Sequence, residues 1–237
     1  MASPSRLNGI LVIDKEASWT SHDVCAFVRS RFRIRKVGHA GTLDPLATGV
    51  LVVLLGTATK RSRELSSCDK DYFGTMRLGL QTDTHDASGV TIKTGSWDQL
   101  TDEQIRETIQ KYTGVLEQTP PMVSALKHHG VRLYRLAREG KTVDRPKRLV
   151  TVYEFRIDEI NLPWIRFFAR VSKGTYLRTL VNDIGEALGS YAVLAQLRRV
   201  RSGPFTLDDA VSIDQMKRLE LDKLGSFIRE SVPVPVG

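Results

Sequence analysis

"KVGHAGTLDPLATGVLVVLLGTATK", residues 36–60, sets one acidic side chain just ahead of six consecutive apolar residues, Val50 to Leu55. Such a run, bounded by Gly49 and Gly56, predicts a short buried strand. Asp44 stands between Leu43 and Pro45. A proline disfavours helical backbone at the residue before it, so Asp44 belongs to a loop. The strand anchors that loop in the core, and Gly38, Gly41 and Gly49 permit tight turns and close approach by a ligand. On residue type alone Asp44 is either an aspartate that helps a turn or a catalytic carboxylate.

Outward from this stretch, "GILVID" (9–14) predicts a buried strand, and "TSHDVCAFVRSRF" a helix with Val24, Phe27, Val28 and Phe32 at helical spacing. Residues 57–67 are expected to be helical. "KDYFGTMRLG" and "GVTIKTG" read as strands around the polar turn "QTDTHDASG". Thr101 to Gln104 and Ser212 to Gln215 both match the capping box, in which a hydroxyl and an amide three residues apart satisfy backbone N–H groups reciprocally. "LVTVYEFRID" and "WIRFFARVS" read as strands, and "GTYLRTLVNDIGEALG" leads into an amphipathic helix with Leu180, Ile184 and Leu188 in line. Strands and helices mix without βαβ alternation. The expected fold is therefore α+β, with a central mixed, mainly antiparallel sheet flanked by helices.

The 237 residues carry 35 Lys or Arg against 27 Asp or Glu, a net charge of +8, which points to a polyanionic partner. The excess is local. Residues 127–148 hold eight Lys or Arg against Glu139 and Asp144 alone. Cys25 and Cys68 lie far apart and form no C-x-x-C, which suggests a reducing compartment without disulfide or zinc. The N-terminus lacks an apolar signal core and six residues cannot span a membrane, so a cytoplasmic protein is expected. There is no G-x-x-x-x-G-K-[ST], no deaminase H-x-E with P-C-x-x-C, no G-x-S-x-G, and no histidine spacing for a metal. "VGHAG" contains G-x-x-G, but "TLDPLATG" follows where a KH domain would place a helix.

Six stretches taken in order, "GHAGTLDPLATGVL", "DKDYFGTMRLG", "TDTHDASG", "PPMVSALKHHGVRLYRLAREG", "SKGTYLRTLVNDIGEALG" and "LRRVRSGPF", resemble the bacterial TruB-type tRNA pseudouridine-55 synthases over about residues 8–213. The resemblance implies isomerisation of the uridine at position 55 in the tRNA T loop, without metal or cofactor. It implies that Asp44 is the essential carboxylate, that Tyr72 lies against the target base, and that Arg178 is the ion-pair partner of Asp44. Tyr176 and Leu197 would line the uracil pocket, His39 would meet the rearranged RNA loop, and Lys127 would be a further basic residue of the site. Residues 121–148 would be the insertion that closes on the T stem-loop, with Arg132, Arg135, Arg138 and Lys141 on the RNA backbone.

Two departures stand out. Where the family pattern is K-P-x-G-x-[ST]-S, this chain has "KEASWTS", with Glu16 for the proline and Ser18 for the glycine. The residues after 215 are too few for the C-terminal PUA domain of many members, so a single catalytic domain over 1–237, acting as a monomer on tRNA, is expected. Two rivals keep the fold: an RNA-binding tRNA-folding chaperone, and a sibling synthase acting on ribosomal RNA within a guide-RNA particle.

Overall fold

A computed structural model describes residues 7–229 apart from 125 and 129, and apart from the side chains of 127, 128, 134 and 138. In chain order the first elements are β1 (Gly9–Lys15), α1 (Ser21–Arg31), β2 (Val37–Ala40), β3 (Thr48–Leu55), α2 (Ser62–Ser66), β4 (Lys70–Leu78), β5 (Leu80–Thr82) and β6 (Thr91–Thr94). Then follow α3 (Asp102–Gln110), β7 (Gly114–Gln118), β8 (Lys127–His128), β9 (Val131–Arg132), α4 (Leu133–Arg138), β10 (Arg148–Asn161) and β11 (Trp164–Val171). The last are α5 (Leu177–Ala187), β12 (Ala192–Ser202), β13 (Phe205–Thr206), β14 (Val211–Ser212) and α6 (Ile213–Arg218). The chain divides into two compact units, one of Met1–Phe73 with Leu197–Gly237, the other of Gly74–Gln196.

In the first unit the strand order is β14-β1-β3-β12, with β2 also on β3 and β13 on β12. The sheet is mixed, as expected: β1 meets β3 antiparallel, while β12 meets β3 parallel. The apolar run of β3 is buried throughout, from Val50 to Leu55, and its Val50, Val52 and Leu54 form a core cluster with Ile10, Val12, Ala40, Leu65 and Phe205. Pairing with β1 occupies one edge of β3 from Gly49 to Leu55. The other edge is split. Arg198 and Arg199 of β12 pair with Thr48 and Gly49, and β2 pairs from Val52 to Leu55. The 41–47 loop leaves at the place where β2 ends and β12 takes over.

In the second unit the order is β4-β11-β10-β7, with β10 antiparallel to both β11 and β7, flanked by α3, which packs against β10 and α5. Both expected capping boxes are formed: Thr101 with Gln104 opens α3, and Ser212 with Gln215 opens α6. A third, Thr20 with Asp23, opens α1. Among the described residues eight strands went unforeseen, the short β5, β8, β9, β13 and β14 together with β2, β7 and β12. β2 carries a glycine and a histidine, β7 is five residues long, and β12 holds three arginines, so none offers a clean apolar alternation. The G-x-x-G segment lies mostly in β2, and no helix follows it directly.

Gly49 combines φ +99° with a close approach by protein: an added Cβ would sit 2.1 Å from the Arg199 carbonyl oxygen. The neighbour that requires glycine here is β12 rather than a ligand. Gly38 has neither constraint and lies in β2.

The Ser18 departure leaves the local conformation in the left-handed region, at φ +69°. Its N–H donates to the Pro45 carbonyl at 2.9 Å, which ties this turn to the Asp44 loop. A non-glycine residue there is strained by about 1–2 kcal/mol, partly offset because glycine loosens the unfolded chain. Ser18→Gly is expected to stabilise by about 0.5–1 kcal/mol, seen as a higher denaturant midpoint with unchanged slope. A lower midpoint would show that the turn holds Ser18 without strain.

Candidate active site

The loop carrying Asp44 is held from below by main-chain contacts. Pro45 occupies the second position of a turn closed by the Ala47 N–H donating to the Asp44 carbonyl at 3.0 Å, a place where its fixed φ fits. Ser21, in the first turn of α1, grips Leu43 twice. Its hydroxyl donates to the Leu43 carbonyl at 3.1 Å and accepts from the Leu43 N–H at 2.8 Å.

Two cations with no appreciable exposure complete the seat, Lys15 at 0% and Arg199 at 1%. The Lys15 ammonium donates to the carbonyls of Trp19 at 2.7 Å, Glu16 at 2.9 Å and Pro45 at 3.4 Å. The Arg199 guanidinium donates to Val50 at 2.7 Å, Gly41 at 3.1 Å and Thr42 at 3.4 Å. Buried charges survive only when their donors are satisfied, and here the acceptors are main-chain carbonyls, those of Gly41, Thr42 and Pro45 on the loop itself. Burial pushes the Lys15 ammonium down to about 8, with Asp44 acting in the opposite sense and Arg199 in the same sense as burial. At neutral pH it remains mostly protonated. Sequence reading left Lys15 and Arg199 without a role. The available signal was a lysine closing an apolar strand and the second arginine of "LRRVR".

The other predicted residues of this unit lie on strands around that loop. Tyr72 is buried in β4 between two fixed neighbours. Lys70 donates to the carbonyls of Ser66 and Cys68, and Asp71 receives a two-pronged bond from Arg201 at 2.7 and 2.8 Å. His39 is half-buried in β2 opposite Val53, and its carbonyl accepts from the Ser62 hydroxyl at 2.9 Å. Leu197, half-buried, precedes the Arg198–Thr48 pair of β12 and β3, and its carbonyl accepts from Thr48 at 3.5 Å. Arg198 pairs in turn with Asp14 at 2.8 Å. The unit thus brings Leu197 to the C-terminal end of the Asp44 loop.

In the second unit Tyr176 caps α5 without a side-chain bond; instead Gln118 accepts from its N–H at 2.8 Å and donates to its carbonyl at 3.2 Å. Arg178 follows in the first helical turn and is 2% exposed. A cation is disfavoured at that end of a helix, where the dipole is positive. Carbonyls offset this: the guanidinium donates to Val123 at 2.6 Å and Thr84 at 3.3 Å, and lies 5.6 Å from the Tyr176 ring centre.

The "TDTHDASG" turn builds the Thr84 acceptor. Asp86 accepts from the Thr84 hydroxyl at 2.8 Å, the Ser88 N–H at 3.0 Å and the Ser88 hydroxyl. His85 turns the chain at φ +63°, and the Leu194 N–H donates to its carbonyl at 3.1 Å. Burial first, then the Arg178 charge, push the His85 imidazole below its usual range.

The basic segment belongs to the same unit. β8 and β9 pair Lys127 with Arg132, and α4 follows directly. Arg132, Arg135 and Lys141 are exposed, Lys141 with Glu139 at 2.8 Å. The side chains of Lys127 and Arg138 lie outside the described part of the structure. Among the described residues no cluster of His, Cys, Asp or Glu could hold a metal, and no helix is long and apolar enough to cross a membrane.

Known proteins are similar to this chain in sequence and fold. Residues 29–177 match the family model described as TruB family pseudouridylate synthase, N-terminal domain, and residues 178–231 that of the tRNA pseudouridylate synthase B C-terminal domain. The tRNA pseudouridine synthase B of Geobacter sulfurreducens is 47% identical over 213 residues, covering 90% of this chain and 70% of the relative. That of Opitutus terrae is 43% identical over 218 residues, covering 92% and 90%. Among solved structures, a Cbf5-Nop10-Gar1 complex aligns with TM-score 0.69 at 31% identity, over 87% of this chain and 53% of that one. An H/ACA RNP bound to a substrate RNA containing 2′-deoxyuridine aligns at 0.66 and 27%, over 87% and 51%. This chain therefore spans about half the length of each of those two solved chains.

Proposed function

The chain belongs to the TruB family of pseudouridylate synthases, and on that premise we propose that it isomerises uridine to pseudouridine at position 55 in the T loop of tRNA. The observation that carries the reading is the seat of Asp44. A half-buried carboxylate stands on a loop whose backbone carbonyls end on two buried cations and whose preceding residue is gripped by Ser21. Such a rigid mount suits a group that must meet one atom of an extruded nucleotide.

In the reaction the N1–C1′ bond breaks, C5–C1′ forms, the C5 proton is lost and N1 gains one. Asp44 acts as a nucleophile at C1′, or as a base removing the C2′ proton on the way to a glycal. Flipping the base out of its stack costs a few kcal/mol, and stacking on an aromatic such as Tyr72 returns roughly 1–3 kcal/mol. Tyr176 and Leu197 line the uracil pocket, His39 meets the opened RNA loop, and Lys127 adds positive charge. Arg178 pairs with Asp44 and orients it. The protein works in the cytoplasm as a monomer on the T stem-loop.

The 47% identity to a tRNA pseudouridine synthase B, against 31% to the Cbf5 chain, supports tRNA over guide-RNA-directed substrates. Arg178→Lys keeps the charge but loses the planar fork. It is expected to lower kcat by about 10²-fold, as small misplacements do. Turnover at the wild-type rate would remove the pairing.

Arg132, Arg135, Arg138 and Lys141 lie along RNA phosphates. Neutralising all four should flatten the dependence of log affinity on log salt by about one unit for each phosphate that loses its cation. An unchanged slope would take the segment out of the electrostatic footprint.

A further inference from the structure

β11 alternates sharply. Ile165 and Phe167 are 0% exposed, whereas Trp164, on the other face of the strand, is 43% exposed. Asn161 of β10 stands opposite Trp164, and Glu159 opposite Arg166, with which it pairs at 3.2 Å. Together with Thr75 of β4 and Gln196 of β12, these side chains line an open concavity of about 470 Å³ in the second unit. None of them belongs to the candidate active site.

The lining is chemically specific. An indole offers a stacking face, and it is already braced by the Arg77 guanidinium 5.5 Å from its ring centre. The strand end is fixed as well, because the Leu78 N–H donates to the Pro163 carbonyl at 2.8 Å. Asn161 and Gln196 supply amides, which read the N6 and N7 edge of adenine. Glu159 accepts from an exocyclic amino group and repels the O6 of guanine or the O4 of uracil. Both members of the Arg166–Glu159 pair are well exposed, at 68% and 52%. Such pairs contribute under about 1 kcal/mol, so Arg166 can leave it for a phosphate. A flat ring with amino and ring-nitrogen edges, joined to an anion, is a nucleotide.

We propose that this concavity binds an unpaired adenine of an RNA strand, stacked on Trp164, with Arg166 on the adjacent phosphate. From the functional reading it takes only that the chain handles RNA. The site would hold a single-stranded part of a substrate, or of another RNA, on residues other than those of the catalytic loop.

The test is a fluorescence-anisotropy titration of the full chain with a labelled eight-residue oligoadenylate at low salt. Trp164→Ala should weaken binding roughly tenfold or more, the range of one lost base–aromatic stack. It should leave kcat on a T stem-loop RNA unchanged, which also shows that the variant folds. Arg166→Gln should lower the salt slope by about one unit, and oligouridylate should bind less tightly than oligoadenylate. Excess stem-loop should not displace the oligoadenylate. No binding by the wild type, equal binding by Trp164→Ala, or full displacement by the stem-loop would each overturn the proposal. If the wild type binds oligoadenylate through Trp164 but never isomerises the stem-loop, the site stands and the functional reading falls.

Discussion

Asp44→Asn is expected to abolish pseudouridine formation, lowering kcat by about 10⁴-fold or more while the protein stays folded. The change is isosteric and removes only the negative charge and one oxygen acceptor. Several bonds that hold the loop are independent of that carboxylate. They run through the carbonyls of Gly41, Thr42 and Pro45, the main chain of Leu43, and the turn from Asp44 to Ala47. Those bonds remain in the variant, so the change in stability should stay within the range of about 0.5–3 kcal/mol usual for a single substitution and leave the chain folded. An amide can neither attack C1′ nor take the C2′ proton, so both routes through Asp44 stop. Single-turnover assays with the variant in excess over tRNA check this. Residual turnover within tenfold of wild type would mean that another group does the chemistry.

Arg199→Met is expected to destabilise the protein by about 3–5 kcal/mol, the cost of leaving its three carbonyl acceptors without their donor at about 1–3 kcal/mol for each buried group. For a chain of this size that corresponds to a fall in Tm of roughly 6–20 °C. Three acceptors lose their donor at once, the carbonyls of Val50, Thr42 and Gly41. Methionine fills much of the volume but offers no N–H. The folded fraction should also turn over more slowly, because two of those carbonyls belong to the loop beneath Asp44. Arg199→Lys should fall between, since one ammonium cannot span three separated acceptors. Calorimetry with parallel kinetics tests this, and a Tm within about 2 °C of wild type for Arg199→Met would show that the loop is held by other bonds.

Legibility followed the range of the interactions. The capping boxes at 101–104 and 212–215 were readable because each is complete within four residues. β3 was readable because six apolar residues in a row have few other destinations. The seat of Asp44 was not. Arg199 meets Val50 across 149 residues of sequence and Gly41 across 158, and a buried arginine has no local pattern to announce it. Lys15 hid the same way, as a charge at the end of an apolar strand whose partners are main-chain carbonyls. β2 escaped because its strand character comes from pairing with β3 rather than from its own residues. The identity of Asp44 as a candidate rested on six stretches taken together. Loop geometry around Pro45 then followed from elementary turn chemistry.

The central claim is that this chain converts the T-loop uridine of tRNA through Asp44. Its most direct test is to incubate purified protein with an unmodified tRNA transcript and map pseudouridine by carbodiimide-dependent stops of reverse transcription. The expected result is a single new stop at the uridine of position 55, present with wild-type protein and absent with Asp44→Asn. Binding of the transcript with no stop at that uridine would contradict it, and a stop elsewhere would assign the chain to a different RNA site.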